Sequence, residues 1–236
     1  MVRKIKVIFF DIDNTLYDST LQVEQARKNA VKAMIEAGLN ANQERALNEL
    51  RKIVKRHGSN YSMHYNELVK KFNFEENPRI IAAGIVAYHN TKLAFLTPFP
   101  ETVPTLLKLR ELGYKLGVIT DGKAIKQWEK LIRLGLQHFF DLVLISEEIG
   151  IEKSDEKIFK FALEKIKCEP SEAIMVGDRL DKDILGANKI GMLTIKILRG
   201  RYSEQQPKIK DEKPLYEISN LREIFSILEK IERKKC

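Results

Sequence analysis

Residues 4–15 read KIKVIFFDIDNT, an apolar run that ends abruptly in two aspartates separated by one residue. Four further apolar runs rich in Val and Ile lie at residues 115–120, 142–146, 173–177 and 193–198. Their near-continuous hydrophobicity predicts strands buried on both faces, as in a parallel sheet covered by helices. With the first run at 4–10, they predict an α/β fold with a Rossmann-like, doubly wound parallel sheet.

The segments between these runs carry helical patterns, which predict the crossover helices of the sheet. Several end at a glycine, the usual residue just past a helix C-terminus. The predicted helices cover residues 101–112, 124–134, 155–167, 181–190 and 219–233. Residues 199–217, which include Pro207 and Pro214 among charged side chains, are predicted to form a surface loop.

Residues 11–114 separate the first two predicted strands, far more chain than one crossover needs. Ser19 and Gln22 have the spacing of a capping box, which predicts the start of a helix there, and Pro78 suits the first turn of another. We therefore predict an all-helical cap at residues 16–95. It is inserted into a core made of residues 1–15 and 96–236.

The composition is that of an ordinary globular protein, with 44% hydrophobic and 31% charged residues. No apolar run approaches the about 20 residues of a membrane-spanning helix, and Asp11 comes too early for a signal peptide. Two cysteines, Cys168 and Cys236, cannot build a disulfide framework. These features predict a cytoplasmic protein with no membrane partner, and the abundance of Lys, Glu and Ile favours a thermophilic source.

The formal net charge is +8, so the surface is expected to attract anions. Phosphorylated metabolites and nucleic acid both fit that charge. The basic residues are spread along the chain, and no motif interleaves them with aromatic residues. Nucleic-acid binding on an inactive enzyme fold is therefore the less favoured alternative.

Residues able to do chemistry follow four of the predicted strands. In chain order they are Asp11, Asp13, Thr15, Thr120, Asp121, Gly122, Lys153, Asp178, Asp181 and Asp183. Taken singly, each is also typical of a turn or a helix N-cap. Ligands of open α/β sheets bind at the carboxyl ends of the strands, so we expect these residues around one crevice.

In this order the motifs resemble those of the haloacid dehalogenase superfamily of phosphohydrolases over nearly the whole chain. They are Asp11-x-Asp13-x-Thr15, the Thr120 strand end, Lys153, and Gly177-Asp178 followed by Asp183. The inserted segment resembles the helical cap of the subfamily that includes phosphoglycolate phosphatase and β-phosphoglucomutase. Ser154 stands where the family commonly has proline.

The resemblance implies a magnesium-dependent phosphatase that acts on a small phosphorylated metabolite. Members of the family that look similar are associated with triose phosphates such as glyceraldehyde 3-phosphate, and others with phosphoglycolate. Oligomeric state is left open between monomer and homodimer.

Phosphoryl transfer suggests a role for each residue. Asp11 is the predicted nucleophile, which forms an aspartyl-phosphate. Asp13 would protonate the leaving alkoxide and then accept a proton from water, and Lys153 would supply a fixed positive charge. Magnesium prefers oxygen ligands, so Asp11, Asp178 and the backbone carbonyl of Asp13 are its predicted ligands.

Further residues are expected to support that chemistry. Thr120 and the backbone amides of Asp121 and Gly122 would hold the phosphoryl oxygens. Asp183 and Thr15 are expected just outside the metal ligands, where Asp183 would orient the lysine or a metal-bound water.

The cap is expected to choose the substrate, because closing it over the crevice excludes water. Candidate substrate contacts are Tyr17, Asn60, Tyr61, His64 and Tyr65. The alternative for each is helix packing with an exposed polar tip.

Asp13 also separates the activities of the family. The resemblance implies that dehalogenases lack an acid two residues after the nucleophile, because a halide leaves without a proton. Asp13 therefore favours a phosphatase over a 2-haloacid dehalogenase. A phosphomutase keeps this acid and remains an open alternative.

Overall fold

The computed structural model describes residues 4–233, which divide into two compact units. One unit comprises the described chain up to Ser19 together with the chain from Leu96 onward, and the other comprises Thr20–Phe95. Cys236 lies outside the described residues. Among residues 4–233, none of the helices has the length and hydropathy needed to traverse a bilayer.

The first unit is built on a six-stranded sheet in which every pairing is parallel. Its strands are β1 (Val7–Phe10), β2 (Lys115–Thr120), β3 (Leu142–Ile145), β4 (Ala173–Gly177), β5 (Leu193–Ile197) and β6 (Tyr216–Ile218). The spatial order is β3-β2-β1-β4-β5-β6. All five predicted runs form strands, so the predicted α/β fold is confirmed.

The central strand β1 is fully buried because helices cover both faces of the sheet. Alternate residues point to opposite faces. Ile8 and Phe10 belong to one apolar cluster, and Val7 and Phe9 belong to the other. Gly117 on β2 leaves room for Phe9, since a Cβ atom there would lie 2.4 Å from the Phe9 ring.

Helices make up the rest of the regular structure. In the sheet unit they are α5 (Thr102–Glu111), α6 (Ala124–Arg133), α7 (Ser146–Ile149), α8 (Lys157–Ile166), α9 (Leu185–Lys189) and α10 (Ile224–Arg233). They are preceded in the chain by α1 (Ser19–Glu36), α2 (Gln43–His57), α3 (His64–Asn73) and α4 (Pro78–Ala94).

The unit at Thr20–Phe95 contains only helices among its regular elements and has its own apolar core. Asn42 and Asn77 cap α2 and α4 by accepting hydrogen bonds from backbone amides of the first turn. Gly84 on α4 allows close packing, because a Cβ atom there would lie 2.7 Å from Met34.

Two predicted elements were wrong in detail. Residues 199–217, predicted as a surface loop, include the start of β6, which pairs with β5 at the edge of the sheet. With only three residues, β6 is too short to show a hydrophobic pattern. The predicted helix 181–190 instead opens with a π-helical turn at Leu180–Ile184 and continues as α9.

The boundary between the units also differs from the predicted one. Residues 16–19 belong to the sheet unit rather than to the helical unit. Leu16 and Tyr17 are buried in the core of the sheet unit, and Thr102 Oγ1 donates a hydrogen bond to the Leu16 carbonyl over 2.8 Å. Apolar packing therefore holds these residues against the sheet.

We expect Phe10→Ala to lower the free energy of unfolding by about 3–5 kcal/mol, because it opens a cavity beside the central strand. Leu107→Ala, at a half-exposed position on α5, is the matched control and should change it by less than about 0.5 kcal/mol. Urea denaturation without metal measures both. Equal effects of the two variants would contradict this account of the core.

Candidate active site

Asp11 occupies the first position after the central strand β1. Its carboxylate contacts Lys153, which lies in the loop that follows β3 and α7 in the chain. Asp11 is 5% exposed and Lys153 is 3% exposed. The Lys153 ammonium lies 2.5 Å from Asp11 Oδ1 and 2.7 Å from Asp183 Oδ1. A cation and two carboxylates are thus held together with almost no contact with solvent.

A third carboxylate completes this buried group. Asp11, Asp178 and Asp183 each present an oxygen within 4.8 Å of the other two, and we call these three residues the acidic cluster. Asn14 Nδ2 donates a hydrogen bond to Asp178 Oδ2 over 3.0 Å. Lys153 is the cation in direct contact with this cluster, so the carboxylates outnumber the positive charge there.

The excess of buried acid perturbs proton affinities. Burial, with repulsion from Asp183, raises the pKa of Asp11 to about 7 although Lys153 opposes the shift. Burial and repulsion from Asp11 raise the pKa of Asp178 to about 8. Burial by itself would lower the pKa of the Lys153 amine, but the surrounding carboxylates outweigh it and raise that pKa.

The residue types present suit a hard divalent cation. The acidic cluster offers three carboxylate oxygens in a small buried volume, which is the donor set that Mg²⁺ and similar ions prefer. A divalent cation would also relieve the repulsion that raises the pKa of Asp11 and of Asp178. The acidic cluster therefore has the oxygen ligands and the negative charge that a divalent-cation site requires.

Asp183 can enter the acidic cluster because Gly177, at the end of β4, has no side chain to occupy that space. A Cβ atom at Gly177 would lie 2.3 Å from Asp183 Oδ2, so any larger residue would displace that carboxylate. The Arg179 amide also donates to Asp183 Oδ2 over 3.0 Å. Asp181 points elsewhere, where it pairs with the Arg179 guanidinium over 2.5 Å.

Asp183 lies beside Asp11 and Asp178, and it contacts the Lys153 ammonium, as expected of a residue that orients the lysine. Its place just outside the metal ligands stays a prediction. Thr15, the other residue expected there, is fully buried. Its hydroxyl has no hydrogen-bond partner among residues 4–233, and its carbonyl accepts from Arg199 Nη1 over 3.2 Å.

The Asp13 side chain lies outside the acidic cluster and has different partners. Lys130 Nζ donates to both of its oxygens, over 2.8 and 2.7 Å, and the Tyr17 hydroxyl donates to Oδ1 over 2.6 Å. Burial alone would raise the pKa of Asp13, but Lys130 and Tyr17 outweigh it and lower that pKa. A metal contact through the Asp13 carbonyl stays a prediction.

Thr120 ends β2 as expected and is buried. Of the two backbone amides expected to assist it, that of Asp121 stays a prediction, and that of Gly122 is already engaged. Asp121 Oδ1 accepts from the Lys153 amide over 2.9 Å, so this side chain holds the lysine loop in place. The Gly122 amide, expected to hold a phosphoryl oxygen, donates instead to Ser146 Oγ over 3.0 Å.

The predicted substrate contacts are divided between the two units. Tyr17 belongs to the sheet unit and is only 1% exposed, and its hydroxyl serves Asp13. Asn60, Tyr61 and His64 lie at the junction of α2 and α3, and the Tyr61 hydroxyl donates to Glu67 over 2.7 Å. Tyr65 packs edge-on against Tyr88, with ring centroids 6.2 Å apart.

Several residues near the site were not anticipated from the sequence. Arg199 forms an ion pair with the buried Glu101, and its guanidinium lies 3.9 Å above the centroid of the Phe99 ring. Gly200, the next residue, abuts Asn14, since a Cβ atom there would lie 2.4 Å from the Asn14 side chain. A single basic residue after a strand carries no recognisable signal, so only the fold reveals this group.

Lys130 was missed for the same reason. A lysine within an amphipathic helix is normally a solvated surface residue, and nothing in the sequence distinguishes Lys130 from Lys126, the other lysine of α6. Asn14, by contrast, lies within the first motif, and its position between Asp13 and Thr15 could have drawn attention to it.

Comparison with known proteins gives consistent relationships. The chain matches the haloacid dehalogenase-like hydrolase family over residues 5–191. It is 49% identical to a protein named glyceraldehyde 3-phosphate phosphatase from Methanopyrus kandleri, over 96% of this chain and 98% of the relative. A protein of the same name from Methanocaldococcus jannaschii is 48% identical over 97% and 99%.

A solved structure agrees with these relationships. The crystal structure of a HAD phosphatase from Thermococcus onnurineus superposes with a TM-score of 0.65 and 27% identity. The match covers 95% of this chain and 98% of that one.

Metal-free protein should lose stability as pH rises from about 4 to about 8. The folded pKa values of Asp11 and Asp178 exceed the about 3.9 of an unfolded aspartate, so the folded state binds more protons in that window. Asp178→Asn should flatten the slope by up to about 1.4 kcal/mol per pH unit. Urea denaturation in the presence of a chelator measures it.

The control for this slope is Asp211→Asn, which alters an exposed aspartate far from the cluster in sequence. It should retain the pH dependence of the unmodified chain. A slope that survives Asp178→Asn unchanged would contradict the assigned origin of the effect.

Proposed function

The chain belongs to the haloacid dehalogenase-like hydrolase family, and from that premise we propose that it is a magnesium-dependent phosphatase of triose phosphates. The observation that carries the chemistry is the buried contact of Asp11 with Lys153 beside Asp178. The substrate class is supported by two relatives that share almost half of their residues with the chain over nearly its full length.

Asp11 is the proposed nucleophile. Its carboxylate attacks phosphorus, the bond from phosphorus to the ester oxygen breaks, and an aspartyl-phosphate forms. Water then attacks the same phosphorus, which releases phosphate and regenerates the carboxylate. The position of Asp11 directly after a rigid central strand supports this role, because in-line transfer requires exact placement.

Asp13 is the proposed proton-transfer group. It delivers a proton to the leaving alkoxide in the first step and removes one from water in the second. A part-buried carboxyl group two residues from the nucleophile suits both steps. It also argues against a dehalogenase, in which the leaving halide requires no proton.

Charge on the transferred group is balanced by fixed cations. Lys153 provides one, and its loop is held by the Asp121 carboxylate. Mg²⁺ would be held by Asp11 and Asp178, with Asp183 beside them, and would supply charge neutralisation at the phosphoryl oxygens. Thr120 is proposed to contact those oxygens from the end of β2.

We assign substrate choice to the helical unit at Thr20–Phe95. Asn60, Tyr61 and His64 cluster at one junction of that unit and provide polar and aromatic contacts, with Tyr65 on the adjoining turn of α3. The partner is a small phosphorylated metabolite, and the net charge of +8 would attract it electrostatically. Phosphoglycolate is the competing candidate of similar size.

The test of this function is phosphate release from a panel containing glyceraldehyde 3-phosphate, phosphoglycolate and glucose 6-phosphate. We expect the triose phosphate to have the highest kcat/KM, a chelator to abolish turnover, and added Mg²⁺ to restore it. Turnover that persists after exhaustive chelation would contradict the metal requirement. Preference for another compound would overturn the substrate assignment alone.

Asp11→Asn should lower kcat by roughly 10³-fold or more, because the amide cannot form the covalent intermediate. Asp181→Asn is the matched control: it removes an acid of the same crevice that lies outside the acidic cluster. It should retain most of the activity. Circular dichroism verifies that both variants are folded, and substantial activity in folded Asp11→Asn would refute the mechanism.

A further inference from the structure

We propose that Lys130 is a positioning residue that aims the Asp13 carboxyl group at the leaving oxygen, an inference that rests on the proposed function. Lys130 belongs to α6 and was not among the residues expected to take part in the chemistry. Its side chain is 18% exposed, which is unusual for a lysine and shows that most of it is enclosed by protein.

The contacts restrict the orientation of the Asp13 carboxylate. The Lys130 ammonium lies within hydrogen-bond distance of both carboxylate oxygens, and the Tyr17 hydroxyl donates to one of them. Hydrogen bonds to charged groups are shorter and stronger than neutral ones. Three such bonds from two different elements leave the carboxylate little freedom to rotate.

The rotational setting of α6 explains why Lys130 reaches Asp13. Gln127 lies one helical turn earlier, on the same side, and its Nε2 donates to the Asp121 carbonyl over 2.7 Å. Gly122 makes this approach possible, because a Cβ atom there would lie 2.7 Å from Gln127 Nε2. The helix is therefore fastened to the end of β2, and Lys130 follows at the active-site edge.

Tyr17 supports the same arrangement from the segment that follows β1. It forms isolated bridges with Asp13 and Pro98, and its buried ring lies 5.9 Å from Lys130 Nζ. The Tyr17 ring thus lies near the Lys130 ammonium, while the Tyr17 hydroxyl donates to the Asp13 carboxylate. This geometry joins three side chains from two segments that are far apart in sequence, with Asp13 and Tyr17 on one and Lys130 on the other.

The negative charge of the Asp13 carboxylate requires a cation of its own, because several acidic groups lie close together in the site. Asp13 lies close enough to Asp11 for repulsion from its carboxylate to raise the pKa of Asp11. Lys153 is committed to Asp11 and Asp183, so it leaves Asp13 to a separate cation. Proton transfer to a leaving group needs hydrogen-bond alignment, and a general acid typically contributes about 10²–10⁴ in rate.

The test exploits the proton requirement of the leaving group. Glyceraldehyde 3-phosphate releases an alkoxide that needs a proton, whereas p-nitrophenyl phosphate releases a stabilised phenolate that needs none. We expect Lys130→Met to lower kcat/KM for the first compound by about 10²-fold and for the second by less than about threefold. This parameter includes only the steps up to the first phosphoryl transfer.

Controls separate positioning from packing. Lys126→Met removes a lysine one turn earlier on α6 with an exposed side chain and should leave both values unchanged. Lys130→Arg, which can still donate to both carboxylate oxygens, should recover much of the loss. Tyr17→Phe deletes the other donor to Asp13 and should show a smaller loss with the same selectivity.

A double-mutant cycle shows whether Lys130 acts through Asp13. In an Asp13→Asn background, Lys130→Met should cause no further loss on glyceraldehyde 3-phosphate. Equal losses on both compounds, no loss on either, or full additivity would overturn the inference. An unmodified protein inactive on both compounds would instead refute the proposed function.

Discussion

The arrangement of the active site depends on one buried ion-pair group, in which Lys153 lies against Asp11 and Asp183. Removing one partner from a buried ion pair typically costs about 3–5 kcal/mol, because the other charge is left uncompensated. Neighbouring residues hold Lys153 and Asp183 in the positions that these contacts need. Asp121 holds the backbone of Lys153, and Gly177 provides the space that Asp183 occupies. Asn14 orients Asp178, the third carboxylate of the cluster.

Two lysines serve the two acids of the first motif separately. Lys153 neutralises the nucleophilic carboxylate from a loop after β3, and Lys130 holds the proton-transfer carboxylate from α6. Because the two cations come from different elements, the environments of Asp11 and Asp13 differ although only Ile12 separates them. The pKa of Asp11 is raised by burial, and that of Asp13 is lowered by its partners. A nucleophile must be ionised and a general acid must hold a proton, so in the metal-free protein both pKa shifts oppose these roles. A divalent cation beside Asp11 would favour its ionised form.

Much of the fold could be predicted from hydrophobic patterns, because strands buried on both faces leave continuous apolar runs. β1 to β5 are predicted in this way, and so is the helical character of the inserted segment. β6 could not be predicted, since three residues at a sheet edge carry no periodicity. The π-helical turn at Leu180–Ile184 also has no sequence pattern of its own.

The α/β class, the inserted helical segment and the set of residues at the strand ends could all be predicted from the amino-acid sequence. Runs of apolar residues and the spacing of motifs are local properties, so both can be recognised in the sequence. Two further features are visible only in three dimensions: Asp183 rather than Asp181 lies in the acidic cluster, and Lys130 donates to Asp13. Such choices depend on the direction in which each side chain leaves its own element. That direction is set by packing between segments distant in sequence, which no local pattern records.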